Sequence, residues 1–509
     1  MNDDINKDAR PALESLLSRL NRDQLQSLLL KLAEQEPSVI ATIERQATLL
    51  QTSSSQPTTS PQQATPKPPI TIDTKAVRRQ VRSSIHSLDR MRSSEAYWHI
   101  GAVVTEIGQL VEQAWALIKA DAGRQALTVL EAITEEYMSE WENLDDSDGE
   151  ASGFFSDLGT AWTEAILSAD LTREEREQWA DQFAAWQAEL DDYGIDEAFD
   201  APQTAALDGW DYPPLQQVLQ GTITEQGAWE GEAPYHADDL TKARLNILER
   251  RGRFQEYLYL AEAEGHTEEY VTMLVRLGRV EEAISYGRHY LATTDEALTL
   301  AKALYEHGEH EQSLQIAEHG LSLEGRKASL AKWLRDQAWS MGEKTRALTA
   351  AEVAFRDEIN LENYQRVAEI AGERWPERRV ELLDYARQTK SSYPKGQIDV
   401  FLHEGLIDDA IAALDPYASH TLVEQVVDAA LQLQSQLDWV IQACRKQAEY
   451  IMDKGKAELY SSAANWLAKA RRAYHMLGSQ AEWQTYLDEL LSQHGRKYKL
   501  VPMLKALGR

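Results

Sequence analysis

Three stretches of this 509-residue chain carry side chains suited to chemistry, and a fourth carries its one thiol. Asp145-Asp146-Ser147-Asp148-Gly149 crowds carboxylates into a short loop, the composition of a calcium site. A helix–loop–helix calcium loop needs an oxygen donor at its first position and a glutamate at its twelfth. With Gly149 as the sixth residue, those positions fall on Leu144 and Phe155, so the stretch reads as a solvated interhelical loop. His307, His310 and His319 cluster near one turn, and the first two have the i, i+3 spacing that could share a metal. No obvious third ligand accompanies them and no H-E-x-x-H run occurs, so they read as exposed turn histidines. Ser340-Met341-Gly342-Glu343-Lys344-Thr345 echoes a phosphate loop but lacks the G-x-x-x-x-G-K-S/T spacing. Cys444, in the apolar helical context of Trp439 to Ile441, reads as a buried inert thiol. With no nucleophile elbow, dinucleotide fingerprint or suitable Cys/His pair, the expectation is a non-enzymatic chain with no cofactor and no metal.

Whatever the chain presents must be positioned by helices, and from about Leu240 onward one helical unit recurs. Leu277-Gly278-Arg279-Val280-Glu281-Glu282-Ala283, His307-Gly308-Glu309-His310-Glu311-Gln312-Ser313, Met341-Gly342-Glu343-Lys344-Thr345-Arg346-Ala347 and Glu404-Gly405-Leu406-Ile407-Asp408-Asp409-Ala410 share a pattern. Each glycine suits the left-handed turn that ends a helix, and the Ala or Ser five residues later lets the next helix cross closely. Glycines 278, 308 and 342 are 30 and 34 residues apart, the range of helical-hairpin solenoids. Gly405 follows 63 residues later, about two units on, which reads as a divergent array. Strand alternation and hairpin dipeptides are nearly absent. The expected fold is therefore all-α: a TPR-like helical-hairpin repeat solenoid over 240–509, preceded by an acidic helical bundle over 71–205 and a Pro/Gly/aromatic connector over 206–239. A small leucine-rich helical hairpin over 1–50, tethered by a disordered Ser/Thr/Gln/Pro linker over 51–70, is expected ahead of them.

Charge bounds the partners. Lys and Arg total 52 against 83 Asp and Glu, a formal charge of −31. Such a field repels phosphate backbones over a Debye length, so direct nucleic-acid binding by this chain is not expected. One cysteine permits neither an intrachain disulfide nor a thiolate zinc site. No run approaches the roughly 18 apolar residues of a membrane span, and the acidic start lacks the features of a secretion signal. No membrane partner and a cytoplasmic setting are expected. Two basic patches interrupt the acidic background: a helical segment, Lys75 to Arg92, with Arg78, Arg79 and Arg82, and a tail with Arg496, Lys497 and Lys499. They could contact phosphates, but pairing with this chain's acidic region or with a partner protein is the favoured use.

Several motifs together resemble the helical C-terminal body of bacterial SWIM zinc-finger family proteins. They are Trp229-Glu230-Gly231-Glu232-Ala233-Pro234-Tyr235, Leu323-Glu324-Gly325-Arg326-Lys327, Lys332-Trp333-Leu334-Arg335-Asp336, Gly372-Glu373-Arg374-Trp375-Pro376-Glu377 and Arg496-Lys497-Tyr498-Lys499-Leu500. Asp145-Asp146-Ser147-Asp148-Gly149-Glu150 and the leading leucine-rich hairpin look like the same family's middle portion. That family takes its name from a C-x-C…C-x-H zinc site, and the only cysteine here is Cys444. The resemblance thus implies zinc only for members that carry the finger, and carries no finger residue over to this chain. The expected function is a protein-protein interaction scaffold. Arg279, His310 and Arg346 at the hairpin junctions are the first candidates for partner contact. The alternative is an accessory component of a nucleic-acid-associated SWIM system whose finger is supplied by a separate or upstream-encoded segment.

Overall fold

Segments that bury apolar residues at helical spacing fold as helices throughout the computed structural model, which describes residues 72–89, 91, 97–391, 393–415 and 418–508. The hairpin expected over 1–50 and the linker over 51–70 lie outside the described residues, as do Arg90, Arg92 and Arg509. Among the described residues there is no strand; a single bridge joins Thr293 to Glu324. The fold is all-α, a bundle followed by a hairpin array.

The bundle comprises α1 (Thr74–Ile85), α2 (Ile100–Lys119), α3 (Gly123–Glu140), α4 (Glu150–Ser168), α5 (Arg173–Asp191) and α6 (Asp200–Asp208). On α2, Ile100, Val103, Ile107, Leu110, Val111, Ala114 and Ile118 recur every three or four residues and are all buried, so one stripe faces the core. Helix α4 packs against α2, α3 and α6, and its buried residues include Phe154, Phe155, Leu158, Ala161, Trp162 and Ile166. Trp162 is fully buried against Trp179, Phe183 and Trp186, and its indole donates to Thr134 Oγ1 at 2.9 Å. That bond spares the buried N–H a desolvation cost of about 1–3 kcal/mol. Thr172 and Glu175 close a capping box at the start of α5.

The array runs α7 (Pro213–Leu219), α8 (Ala237–Arg250), α9 (Phe254–Ala263), α10 (Thr267–Arg276), α11 (Val280–Tyr290), α12 (Thr294–His307), α13 (His310–Gly320), α14 (Ala328–Ser340) and α15 (Lys344–Asp357). It continues with α16 (Leu361–Ala371), α17 (Trp375–Gln388), α18 (Lys395–His403), α19 (Ile407–Ala413), α20 (His420–Leu433), α21 (Leu437–Asp453), α22 (Tyr460–Met476), α23 (Gln480–Gln493) and α24 (Val501–Ala506). From α9 onward the principal packing is between each helix and the next one or two: α10 on α11 and α12, α12 on α13 and α14, α16 on α17 and α18. This nearest-neighbour order defines a solenoid. Gly278, Gly308, Gly342 and Gly405 all have positive φ, and Ala283, Ser313, Ala347 and Ala410 behind them are fully buried.

Three features differ from the sequence reading. The apparent 63-residue gap contains a further junction at Gly372, with φ +53, so the unit repeats at 30 and then 33 residues. It is hidden because a 3-10 turn over Gly372–Arg374 shifts the next helix, and the fifth residue on is the exposed Glu377 instead of a small buried one. The turn between α20 and α21 has no glycine at all: Gln434 and Gln436 both take φ +53. The expected connector over 206–239 is also more than a link, since it holds helix α7 and inserts Ala228 into the array core and Trp229 into the bundle core.

Helix α8 joins the two bodies. Leu240, Ala243 and Ile247 enter the bundle core, whereas Leu245 and Leu248 enter the array core. Between these faces Arg244 is wholly buried, its guanidinium beside the Trp229 ring. Burial pulls its pKa down to about 10 against the opposing carboxylates of Asp208 and Glu264. Glu264 in turn accepts from the Ala228 N–H at 2.6 Å and the Trp229 indole at 2.8 Å.

Candidate interaction surface

The residues singled out for chemistry are occupied with structure. In the acidic loop, Asp146 Oδ1 accepts from the N–H groups of Ala151 and Ser152 at 2.8 and 3.1 Å, satisfying orphan donors at the start of α4. Asp145 Oδ1 accepts from Ser147 N–H at 3.2 Å, an Asx turn. His307 ends α12, His310 begins α13 and His319 lies in the last turn of α13; among the described residues no three potential ligands converge on a metal-sized site. Gly342 turns the chain between α14 and α15, so the phosphate-loop echo is a helix junction. Cys444 is fully buried, and burial pushes its thiol up to about 12. No described helix is long and apolar enough to cross a membrane.

The junction cations are engaged within the chain. Arg346 forms a fork with Glu311, two bonds of 2.8 Å, and a further ion pair with Glu318 at 3.1 Å. Hydrogen bonding from that guanidinium drops the Glu311 carboxyl to about 2. Arg279 makes its own fork to Glu282 at 2.9 and 2.7 Å. His310 is exposed and lies against Tyr305, with ring centroids 4.4 Å apart, and Tyr305 meets Trp333 edge-on. Glu311 thus links Arg346 to the hairpin that carries His310, while Arg279 stands on an earlier one. Arg346 therefore braces neighbouring hairpins, whereas Arg279 is paired at the start of its own helix.

The basic patches differ from each other. Arg78 pairs with Glu135, and Arg82 pairs with Glu136 at 2.6 Å, which pins α1 on α3; Arg79 is exposed and among the described residues bonds only the Lys75 carbonyl. At the other end Lys497 donates to the Met452 carbonyl at 2.6 Å, while Arg496 and Lys499 are exposed with no ion pair among the described residues.

What sequence reasoning missed is a row of apolar side chains at the hairpin turns. Leu277, Met341, Leu433 and Leu477 are 38–52% exposed, and each immediately precedes the left-handed residue of its turn, Gly278, Gly342, Gln434 or Gly478. Short turns between alternating helices place these tips along one edge of the array. The signal was present as an apolar residue before Gly278, Gly342 and Gly478, although His307 and Glu404 stand there before Gly308 and Gly405, and its exposure is decided by tertiary packing. Two clefts lie elsewhere: one of about 450 Å³ between the small-residue face of α4 and the 194–198 loop, another of about 600 Å³ beside Glu164 and Arg250. In the latter, Arg250 Nη1 and Asn246 Nδ2 donate to Glu164 at 2.6 and 3.1 Å, a network that joins α8 to α4.

No family model matches the chain, and no curated protein matches it. Among solved structures, a circular tandem repeat protein with novel repeat topology and enhanced subunit contact surfaces aligns at 16% identity. The alignment covers 86% of this chain and 87% of that one with a TM-score of 0.19, too loose a superposition to support a common architecture.

Proposed function

We propose that the chain is a non-enzymatic scaffold, cytoplasmic and of the kind the SWIM-like motifs suggest, whose hairpin array binds a protein partner along the turn edge. The single supporting observation is the recurrence of exposed apolar tips at Leu277, Met341, Leu433 and Leu477. Isolated exposed leucines are ordinary, but recurrence at one structural position is not explained by chance exposure. Turns that carry His307, Ala371 or Glu404 instead separate Leu277, Met341 and Leu433, so a partner segment laid along the array would meet these tips at spaced points. Each contact is small, and the sum supplies the binding.

A pull-down with the full chain, with and without nuclease, tests this against Leu277→Lys, Met341→Lys and Leu433→Lys combined in one variant. The exposed positions should tolerate lysine within about 0.5 kcal/mol each, leaving helicity unchanged. Retained proteins should persist after nuclease and disappear with the variant. Partners that vanish on nuclease digestion would favour the alternative, accessory service to a nucleic-acid-associated SWIM system. Partners retained undiminished by the variant would refute the edge.

A further inference from the structure

The formal charge of −31 is distributed very unevenly. Residues 135–240 hold 28 Asp and Glu against two Arg and no Lys, whereas residues 441–509 hold 12 Lys and Arg against six Asp and Glu. The C-terminal excess is a surface, not a scatter. Lys446, Tyr450 and Lys454 recur every four residues and are exposed, so they form one stripe that runs off the end of α21. The Lys497 bond to Met452 brings the turn holding Arg496 and Lys499 beside that end. Lys454 stacks on Tyr450 at 4.2 Å, and Tyr498 is 79% exposed between the two free cations. Lys446, Lys456, Arg496 and Lys499 have no ion pair among the described residues, in contrast to the forked arginines of the array.

A complementary surface exists on the bundle. On α5 and at its C-cap, Glu174, Asp181 and Asp192 are separated by 7 and 11 residues, which returns each to the same face, and all are exposed with no ion pair among the described residues. The last turn of α5 contains no cation, and Glu189, Asp191 and Asp192 crowd its C-terminus. Carboxylates there oppose the helix dipole, an arrangement that costs stability unless a cation covers it. Local rules broken in this way mark functional surfaces.

We propose that the basic C-terminal surface of one molecule docks on the acidic face of α5 in a second copy of this chain, a head-to-tail contact. The two patches differ, so the contact is heterologous and can propagate beyond a dimer. Both copies are strongly acidic overall, but screening confines that repulsion to about 10 Å at 0.1 M salt, and the matched patches act within this range.

Sedimentation velocity of the full chain tests the contact. At about 50 mM salt and up to about 100 µM protein, the sedimentation coefficient should rise with concentration; at about 500 mM salt it should not. Arg496→Glu with Lys499→Glu should weaken association about tenfold or more, as should Glu174→Lys with Asp181→Lys. These are exposed positions, so circular dichroism should be unchanged. An equimolar mixture of the two double variants should associate again, because each supplies the charge that the other now needs. A monomer under all conditions, or association indifferent to both variants, overturns the proposal. So does tight binding of duplex DNA by the basic surface without self-association. Because these variants leave the hairpin edge untouched, a parent chain that never self-associates yet still captures protein would sink this contact alone.

Discussion

Arg346 and Glu311 show at residue scale how a sequence-level candidate changes meaning once its neighbours are known. A lone junction arginine reads as a contact residue; forked to Glu311 it is a brace between α13 and α15. The Glu311 carboxyl sits at about 2, below its ordinary 4.5, so its contribution to stability is complete above pH 4.5 and is lost as pH falls toward 2. Thermal melts of Glu311→Gln should therefore lie below those of the parent at pH 7 and meet them near pH 2. Glycines divide just as sharply. A Cβ at Gly159 would overlap the Ala198 carbonyl, so Gly159→Ala should cost about 1–3 kcal/mol in urea unfolding. At Gly153, on the same helix, nothing lies within 4 Å, and Gly153→Ala should stabilise by about 0.5–1 kcal/mol. Cys444 should resist alkylation in the folded protein at pH 8 and react only after denaturation. The burial of Cys444 was legible from its apolar surroundings; the pairing of Arg346 with Glu311, 35 residues away in sequence, was not.

At the scale of elements, α8 carries the most consequence, since its two faces serve two cores. Nothing in its sequence marks that role except an arginine amid leucines. Glu264→Ala removes the acceptor of the Trp229 indole and the Ala228 N–H and leaves Arg244 less compensated. A loss of about 3 kcal/mol is expected. Arg244→Met fills a similar volume without a buried charge and should be neutral or stabilising by about 1–4 kcal/mol. Comparing the two by urea unfolding separates a desolvated charge from its hydrogen-bonded support; a large loss for Arg244→Met would show that the ion itself holds the junction.

Across the whole molecule, three core clusters succeed one another along the chain, and α8 is the link between the first two. Local packing of this kind weakens cooperativity over long distances. Urea unfolding should thus proceed in more than one step. Tryptophan emission in the bundle (Trp141, Trp162, Trp179, Trp186) and in the C-terminal cluster (Trp466, Trp483) should report different midpoints when each set is isolated by Trp→Phe changes elsewhere. Coincident midpoints would show one cooperative body instead.

The sequence by itself determined the helical class and most of the hairpin units. Positive-φ turns select glycine and close crossings select small residues, so both leave local traces. It could not show the unit at Gly372, where a 3-10 turn displaces the small-residue signal, or the turn at Gln434, which uses no glycine. Only the tertiary structure decided which cations were free. Arg78, Arg82, Arg279 and Arg346 look like Arg496 and Lys499 in sequence, yet the first four meet carboxylates of their own chain. Pairing depends on which helix faces lie opposite, and that is settled by packing the cores, whereas backbone conformation at a turn is settled by the residue that occupies it.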